Sequence, residues 1–190
     1  MNIGIDIDDT LTETSEFLTP YVAEYFSLDA DYLKKNGIFY CSLPEDFRDK
    51  EKEFGKATFG RVLLNVPLKE GAKEITDKLR AEGNRIVIIT ARDGSIYDEP
   101  FEFTARQLSK LGIGYDKLVC AFDKRRVCID EQIDLFIDDS IDNLMAAESA
   151  AGEVLLFNSA VNNAEATYFR RVSSWQDIYD FIHKKNKPCL

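Results

Sequence analysis

The hydrophobic positions of the chain alternate between short continuous runs and longer stretches with helical spacing. Five short apolar runs predict β-strands over residues 2–7, 85–90, 117–122, 134–139 and 153–157. Four longer segments predict helices, because their apolar residues recur every three or four positions: 68–83, 99–111, 140–152 and 173–185. Strands that alternate with helices form a parallel sheet with helices on both faces, so the sequence predicts an α/β fold.

Residues 15–67 interrupt this alternation, since they contain no convincing strand and two or three helical patterns. We predict a small helical cap inserted after the first strand, with residues 1–14 and 68–190 forming the core domain. The connections near residues 12–15 and 67–71 are the natural hinges for such a cap. Its aromatic side chains either pack the cap against the core or contact a ligand, and they include Phe17, Tyr21, Tyr25 and Phe26.

Composition and charge narrow the function classes. The chain has 190 residues, of which 45% are hydrophobic and 31% charged, as expected for a soluble globular protein. The net charge of −10 argues against a nucleic-acid polymer as partner, because phosphate-backbone binding needs clustered basic residues. No apolar run predicts a membrane span and no secretory signal is evident, so we expect a cytoplasmic protein. The sequence leaves the oligomeric state open.

The cysteines do not predict a metal centre. Four cysteines are irregularly spaced without a CxxC pair, and the chain has a single histidine, so a Cys/His zinc site is not expected. Reduced thiols are expected in a cytoplasmic protein.

Polar side chains follow four of the five predicted strands. In chain order they are Asp6, Asp8 and Thr10, then Thr90 and Arg92, then Lys124, and finally Asp138 and Asp139. The carboxyl ends of parallel strands meet at one edge of a sheet, where ligands bind, so we expect these side chains to lie together. Carboxylate oxygens are the ligands that Mg²⁺ prefers, and the acidic residues of this set predict a Mg²⁺ site. Thr90 and Lys124 would bind the oxygens of a phosphate.

The order of these residues resembles the four motifs of the haloacid dehalogenase superfamily of phosphatases. The motifs read Asp6-Ile-Asp8-Asp-Thr10, Ile-Thr90, Lys124 and Asp138-Asp139, with Asn143 where many members have a second aspartate. The resemblance implies a Rossmann-like core and Mg²⁺-dependent hydrolysis of a small phosphorylated substrate.

The resemblance also implies a role for each catalytic residue. Asp6 would be the nucleophile that forms an aspartyl-phosphate, and Asp8 the acid for the leaving alcohol and then the base for water. Thr90 would hold the phosphoryl group, and Lys124 would neutralise charge. Arg125 and Arg126 compete with Lys124 for this assignment.

The metal ligands implied by the resemblance are Asp6, the backbone carbonyl of Asp8, and Asp139, with Asp138 as a close second candidate. Other interpretations remain open for three residues. Thr10 binds substrate or caps the turn after the first strand, and Asp138 ligates metal or caps the next helix. Arg92 binds substrate or pairs with Asp93 or with a carboxylate of the cap.

Within the superfamily, the chain is similar to the 5′(3′)-deoxyribonucleotidases and their bacterial relatives. That similarity implies a nucleoside monophosphate as substrate, with Phe17, Tyr21 or Tyr25 of the cap against the base. Residues 90–92 read Thr-Ala-Arg and depart from this branch. Two alternatives therefore remain: a phosphatase of another small phosphomonoester such as a sugar phosphate, and a binding or regulatory protein without turnover.

Overall fold

Six parallel strands form the central sheet in the computed structural model of the chain, which describes residues 1–185. The strands are β1 (Asn2–Ile5), β2 (Arg85–Thr90), β3 (Lys117–Cys120), β4 (Leu135–Asp138), β5 (Glu153–Phe157) and β6 (Arg171–Val172). Their spatial order is β3-β2-β1-β4-β5-β6, and every neighbouring pair is parallel. The winding reverses between β1 and β4, which is the position where open α/β sheets form a ligand crevice.

Helices cover both faces of this sheet. They are α1 (Thr14–Phe26), α2 (Ala30–Lys35), α3 (Glu45–Val62), α4 (Ala72–Ala81), α5 (Pro100–Leu111), α6 (Lys124–Asp130), α7 (Ile141–Ala147) and α8 (Trp175–Lys185). Apolar residues of α4, α5 and α8 pack in one buried cluster, and those of α6 and α7 pack in another. The predicted α/β fold with helices on both faces is confirmed. No helix within residues 1–185 is long and apolar enough to cross a membrane.

The central strand β1 is buried on both faces, which explains its continuous apolar sequence. Gly4 lies in the middle of β1, between β2 and β4. A Cβ atom on Gly4 would lie 3.0 Å from side-chain atoms of both Ile89 and Phe136. The missing side chain at residue 4 therefore allows large residues of the neighbouring strands to close over β1.

The element boundaries differ from the sequence prediction in a few places. Strands β1, β3 and β4 end one or two residues earlier than predicted, although the Asp6 amide still donates to the Ile137 carbonyl at 3.0 Å. Helix α6 was not predicted, because its first residues, Lys-Arg-Arg, are also typical of a charged turn. Strand β6 was missed, because two residues are too few to show an alternating pattern.

The segment between β1 and β2 is helical. It contains α1, α2, α3 and two short 3₁₀ helices, Tyr40–Ser42 and Leu63–Asn65. Its apolar residues form a cluster around the fully buried Phe54, which Tyr97 and Phe103 from the segment after β2 also join. The division into a core and a cap of residues 15–67 stays a prediction, and we use the word cap for that segment.

Candidate active site

A cleft of about 640 Å³ lies between the carboxyl ends of the strands and the cap. The residues that line it include most of those singled out in the sequence: Asp6, Asp8, Thr90, Arg92, Lys124 and Asp139. Residues from the cap, among them Tyr40 and Phe59, line the opposite side. The structure therefore brings together side chains that are separated by up to 133 positions in the chain.

Lys124 is a buried cation that lines the cleft. It is the first residue of α6, and its Nζ lies 2.6 Å from Asp6 Oδ1 and 2.6 Å from Asp138 Oδ2. Burial acts to lower the pKa of Lys124, but the two carboxylates hold it above its usual value. Arg126 instead forms an exposed ion pair with Asp130. Of the basic residues at the start of α6, Lys124 is the one that lines the cleft.

Three carboxylates form a candidate metal site. Oxygen atoms of Asp6, Asp138 and Asp139 all lie within 4.8 Å of one another. Burial raises the pKa of Asp139 to about 9, and the negative charges of Asp9, Asp6 and Asp138 add to this effect. Burial also raises the pKa of Asp6, although Lys124 opposes the increase. A divalent cation would relieve this repulsion, and an all-oxygen donor set fits Mg²⁺.

The hydrogen bonds distinguish Asp138 from Asp139. Asp138 accepts from the Ser140 amide at 2.8 Å, from Asn143 Nδ2 at 3.1 Å and from Lys124. It is fully buried and does not line the cleft. Asp139 lines the cleft, and its Oδ2 accepts from Ser159 Oγ at 3.1 Å. Asp138 therefore holds Lys124 in place, whereas Asp139 presents its carboxylate to the cleft.

The loop after β5 supports Asp139, a role that sequence analysis did not predict. Asn162 Nδ2 donates to the Asp139 carbonyl at 2.7 Å and to the Phe157 carbonyl at 2.8 Å. Arg171, in β6, donates to Asn162 Oδ1 at 3.0 Å and to the Glu165 carbonyl at 2.5 Å. The three Asn residues and one Ser residue among positions 158–163 are the signal that could have indicated a hydrogen-bonded loop here.

Asp8 forms a two-point ion pair with Arg92. Arg92 Nη2 donates to Asp8 Oδ1 at 2.9 Å, and Nε donates to Oδ2 at 3.2 Å. Thr14 Oγ1 donates to Asp8 Oδ1 at 2.8 Å. Burial opposes ionisation of Asp8, but Arg92 and Thr14 outweigh it and hold the pKa of Asp8 below its ordinary value. Arg92 therefore pairs with Asp8 rather than with Asp93 or a carboxylate of the cap, and because it also lines the cleft, its contact with a substrate stays a prediction.

Asp9 connects the site to the start of the cap, a contact that sequence analysis missed. Its backbone has φ +59°, a left-handed conformation that is uncommon outside glycine. Its carboxylate accepts from the Ser15 amide at 3.0 Å and from the Ser15 hydroxyl. Burial raises the pKa of Asp9 to about 6, although the bonds from Ser15 oppose this. The turn after β1 thus fixes the first turn of α1.

Two groups of residues predicted to bind substrate lie outside the cleft lining. Thr10 is fully buried, and its backbone carbonyl accepts from Trp175 Nε1 at 3.2 Å on the core side of the turn. Phe17 and Tyr21 contact each other with ring centroids 5.7 Å apart and ring planes tilted by 51°, and both pack against the apolar cluster of the cap. Tyr25 packs against Phe54 at 5.3 Å. These aromatic residues pack against other residues of the cap, and the expected contact of one of them with a base stays a prediction.

Four other aromatic residues line the cleft: Tyr40, Phe59, Tyr97 and Phe122. Phe122 lies in the short segment between β3 and α6, and 66% of its surface is exposed. The sequence contains little indication of this wall, because its members come from the cap, the segment after β2 and the loop before Lys124. An exposed aromatic ring at the mouth of a cleft is suited to stacking on a flat ligand.

Comparison with models of known protein families assigns the chain to one of them. The model of the family described as 5′ nucleotidase, deoxy (pyrimidine), cytosolic type C protein matches residues 57–187. The match includes Thr90, Lys124 and Asp139, and it begins after Asp6 and Asp8. A search of curated protein sequences gave no match.

Solved structures share the fold at low sequence identity. A predicted phosphatase from Clostridium acetobutylicum is 17% identical, with a TM-score of 0.67 over 96% of this chain and 98% of that one. A HAD family hydrolase from Deinococcus radiodurans, with bound phosphate and sodium, is 15% identical, with a TM-score of 0.64 over 96% and 95%. D,D-heptose 1,7-bisphosphate phosphatase from B. bronchiseptica, complexed with magnesium and phosphate, is 12% identical, with a TM-score of 0.55 over 97% and 98%.

The family match covers more than half of the chain, and the parallel sheet is the one these hydrolases share. The chain belongs to the 5′ nucleotidase, deoxy (pyrimidine), cytosolic type C protein family, and it is a phosphatase of the haloacid dehalogenase superfamily.

Proposed function

We propose that the protein is a Mg²⁺-dependent phosphatase of nucleoside monophosphates that acts through an aspartyl-phosphate on Asp6. The observation that carries the proposal is the position of Asp6 in the cleft. Its carboxylate lies 2.6 Å from the ammonium group of Lys124 and beside the carboxylate of Asp139. A nucleophilic carboxylate needs a compensating positive charge when a phosphate dianion approaches, and Lys124 supplies one.

In the first step, a carboxylate oxygen of Asp6 attacks phosphorus and forms a new P–O bond. The bond between phosphorus and the nucleoside oxygen breaks, and this oxygen takes a proton from Asp8. Thr90, at the end of β2, and Lys124 bind the other phosphoryl oxygens. An alkoxide is a poor leaving group, so proton donation by Asp8 lowers the barrier for a nucleotide.

In the second step, water attacks the phosphorus of the aspartyl-phosphate while Asp8 accepts its proton. The bond between phosphorus and Asp6 breaks, and phosphate leaves. The ion pair with Arg92 favours the ionised form of Asp8 that this step needs. The negative charge of a bound substrate favours the protonated form that the first step needs.

Asp6 and Asp139 are the proposed side-chain ligands of Mg²⁺, and Asp138 stays beneath them as the partner of Lys124. The carbonyl of Asp8 stays a candidate ligand. When bound, the cation neutralises the cluster of carboxylates and charge on the phosphate.

The nucleotide is the proposed substrate for two reasons. The family that matches residues 57–187 is described as a deoxynucleotidase family. The cleft also has an aromatic wall, which includes the exposed ring of Phe122, and such surfaces bind nucleobases by stacking.

A phosphate-release screen with Mg²⁺ tests the proposal. Deoxyribo- and ribonucleoside 5′- and 3′-monophosphates are compared with sugar phosphates, and the Asp6→Asn variant is the blank. We expect one set of nucleotides to exceed ribose 5-phosphate by about tenfold or more, and EDTA to abolish turnover. A preference for sugar phosphates would overturn the substrate assignment alone. Phosphate release by Asp6→Asn at the wild-type rate would overturn the nucleophile.

A further inference from the structure

A buried chain of hydrogen bonds joins Asp8 to the last part of the cap. Arg92 holds Asp8 through Nε and Nη2, and its Nη1 donates to Gln107 Oε1 at 2.5 Å. Gln107 Nε2 in turn donates to the backbone carbonyl of Leu63 at 2.5 Å. Leu63 begins the 3₁₀ helix that precedes the predicted hinge at residues 67–71. Each link of the chain is therefore a direct contact between side chains or with the backbone.

The start of α1, directly before the cap, is also bonded to Asp8. Thr14, the first residue of α1, donates to Asp8 Oδ1 at 2.8 Å. The Thr14 hydroxyl also lies 2.8 Å from Thr12 Oγ1, and Thr12 donates to the Ile7 carbonyl at 3.0 Å. Asp8 thus has hydrogen-bonded connections to the start of α1 and, through Arg92 and Gln107, to the last part of the cap.

The amide of Gln107 has a single satisfactory orientation. A guanidinium group carries donors only, so the amide oxygen must face Arg92. The Leu63 carbonyl carries acceptors only, so the amide nitrogen must face Leu63. Gln107 has no exposed surface, and water cannot replace either partner. A flipped amide would leave two buried mismatches, so the position of Nη1 of Arg92 is fixed.

Fixing Nη1 also fixes the plane of the guanidinium group. Arg92 is 5% exposed and lies over the rings of Tyr97 and Phe103, 5.6 and 5.7 Å from their centroids. Its two remaining donor positions then meet both oxygens of Asp8, and a bidentate pair sets the orientation of a carboxylate as well as its distance.

We propose that Gln107 is a positioning residue: through Arg92, it sets the orientation of Asp8 relative to the start of α1 and the last part of the cap. Gln107 does not line the cleft, so it acts on the reaction without touching the substrate. The inference rests on the proposed function, because it takes Asp8 as the proton donor.

Comparing a substrate that needs a proton donor with one that does not separates this positioning role from a purely structural one. A nucleoside leaving group needs the proton of Asp8, whereas p-nitrophenolate leaves without one. The ratio kcat/KM reports the steps up to formation of the aspartyl-phosphate, so the later role of Asp8 as base does not enter. In the Gln107→Met variant, which retains the length of the side chain without its hydrogen bonds, we expect kcat/KM for deoxyuridine 5′-monophosphate to fall about tenfold. The kcat/KM of this variant for p-nitrophenyl phosphate should stay within about twofold of the wild-type value.

A matched control uses the neighbouring bond between the same two elements. Lys110, also in α5, donates through Nζ to Asn65 Oδ1 at 2.5 Å, and this contact is exposed and separate from Arg92. The Lys110→Met variant removes a link between α5 and the 3₁₀ helix of Leu63. We expect its kcat/KM to stay within about twofold of wild type for both deoxyuridine 5′-monophosphate and p-nitrophenyl phosphate.

A second variant keeps the inference testable if Gln107→Met folds poorly. Arg92→Lys retains the positive charge but cannot hold both oxygens of Asp8, so we expect the same selective loss for the nucleotide. When Gln107→Met and Arg92→Lys are combined, the fold-loss in kcat/KM for the nucleotide should be smaller than the product of the two single fold-losses, because both substitutions break the same chain of contacts.

Two outcomes would overturn the inference. One is an equal loss for both substrates in the Gln107→Met variant, which would make Gln107 a structural residue only. The other is no loss for either substrate. In both cases the proposed function would stand, whereas a wild-type protein that releases no phosphate, or an active Asp6→Asn variant, would overturn the proposed function itself.

Discussion

The Nζ atom of Lys124 lies 2.6 Å from Oδ1 of Asp6, and 2% and 8% of the two side chains are exposed. The pair joins the first turn of α6 to the end of β1, 118 residues apart in the chain. Because water is largely absent around this contact, either charge alone would be strongly destabilised. The pair therefore ties the stability of this edge of the sheet to the proposed chemistry.

Replacing Lys124 by Met should remove activity and weaken the fold. Without the ammonium group, two buried carboxylates lose their common partner, so we expect the free energy of unfolding without Mg²⁺ to fall by about 3 kcal/mol. The value of kcat should fall at least about a hundredfold. Urea unfolding and phosphate release measure the two effects. Arg126→Met is the control, since its exposed ion pair should matter little. A wild-type kcat in the Lys124→Met variant would contradict the assignment.

Mg²⁺ should raise the melting temperature, and Asp139 should be required for this effect. At a concentration about 100 times Kd, a cation that binds the folded state alone stabilises it by about 2.7 kcal/mol. Asp139→Asn should abolish the increase and should also stabilise the metal-free protein, because it removes one of three crowded carboxylates. Thermal unfolding with Mg²⁺ and with EDTA measures both. Asp142→Asn, in the same cleft but outside the cluster, should retain the increase.

Phe122 should contribute to nucleotide binding. Stacking of one base on an aromatic ring contributes about 1–3 kcal/mol, so Phe122→Ala should raise KM for nucleotides by about tenfold. KM for ribose 5-phosphate, which has no base, should stay unchanged. Tyr168 is 73% exposed and outside the cleft, and Tyr168→Ala provides the control. An equal increase in KM for both substrates would show that the ring of Phe122 shapes the cleft without stacking on a base.

Asp116 should make stability depend on pH at acidic values. Hydrogen bonds from Arg80 hold the pKa of Asp116 below its ordinary value of 3.8, against the effect of burial, and the Ile86 amide adds to this. Ionisation of Asp116 is therefore easier in the folded chain, and its stabilising contribution is lost as the pH falls through its lowered pKa. The difference in unfolding free energy between wild type and Asp116→Asn should be larger at pH 7 than at pH 3. Equal differences at the two pH values would refute this.

Two glycines should respond in opposite ways to a side chain. Gly4→Val would place methyl groups against Ile89 and Phe136, where the space is already filled, so we expect a loss of about 2 kcal/mol of stability. Gly60 lies inside α3, and a Cβ atom added there would point into open space, with no neighbouring group within 4 Å. Gly60→Ala should therefore gain about 0.5–1 kcal/mol. Chemical denaturation of both variants beside wild type measures the contrast.

The sequence allowed the catalytic candidates to be located, because their position depends on the pattern of short apolar strands along the chain. Each catalytic candidate lies at the carboxyl end of a short apolar strand or within four residues of it, and parallel strands bring their carboxyl ends to one edge of the sheet. Asp6, Thr90, Lys124 and Asp139 therefore converge as the pattern predicted.

Contacts between distant segments were beyond the reach of the same reasoning. Gln107 looks like an ordinary polar residue of α5, and its importance comes from partners 15 and 44 positions away. The contact of Phe17, Tyr21 or Tyr25 with a base stays a prediction, but none of the three lines the cleft, because helical spacing does not show which side of α1 faces the other cap helices. Such choices are made by tertiary packing, which a single pattern of apolar positions does not encode.

The support of Asp139 by the loop after β5 changes what counts as a minimal version of this enzyme. A chain cut at residue 157 would retain all four motifs and five of the six strands, and a motif search would score it as complete. It would lack Ser159, Asn162 and Arg171, and with them the hydrogen bonds that hold the proposed metal ligand. Engineered fragments of such proteins should therefore extend through β6.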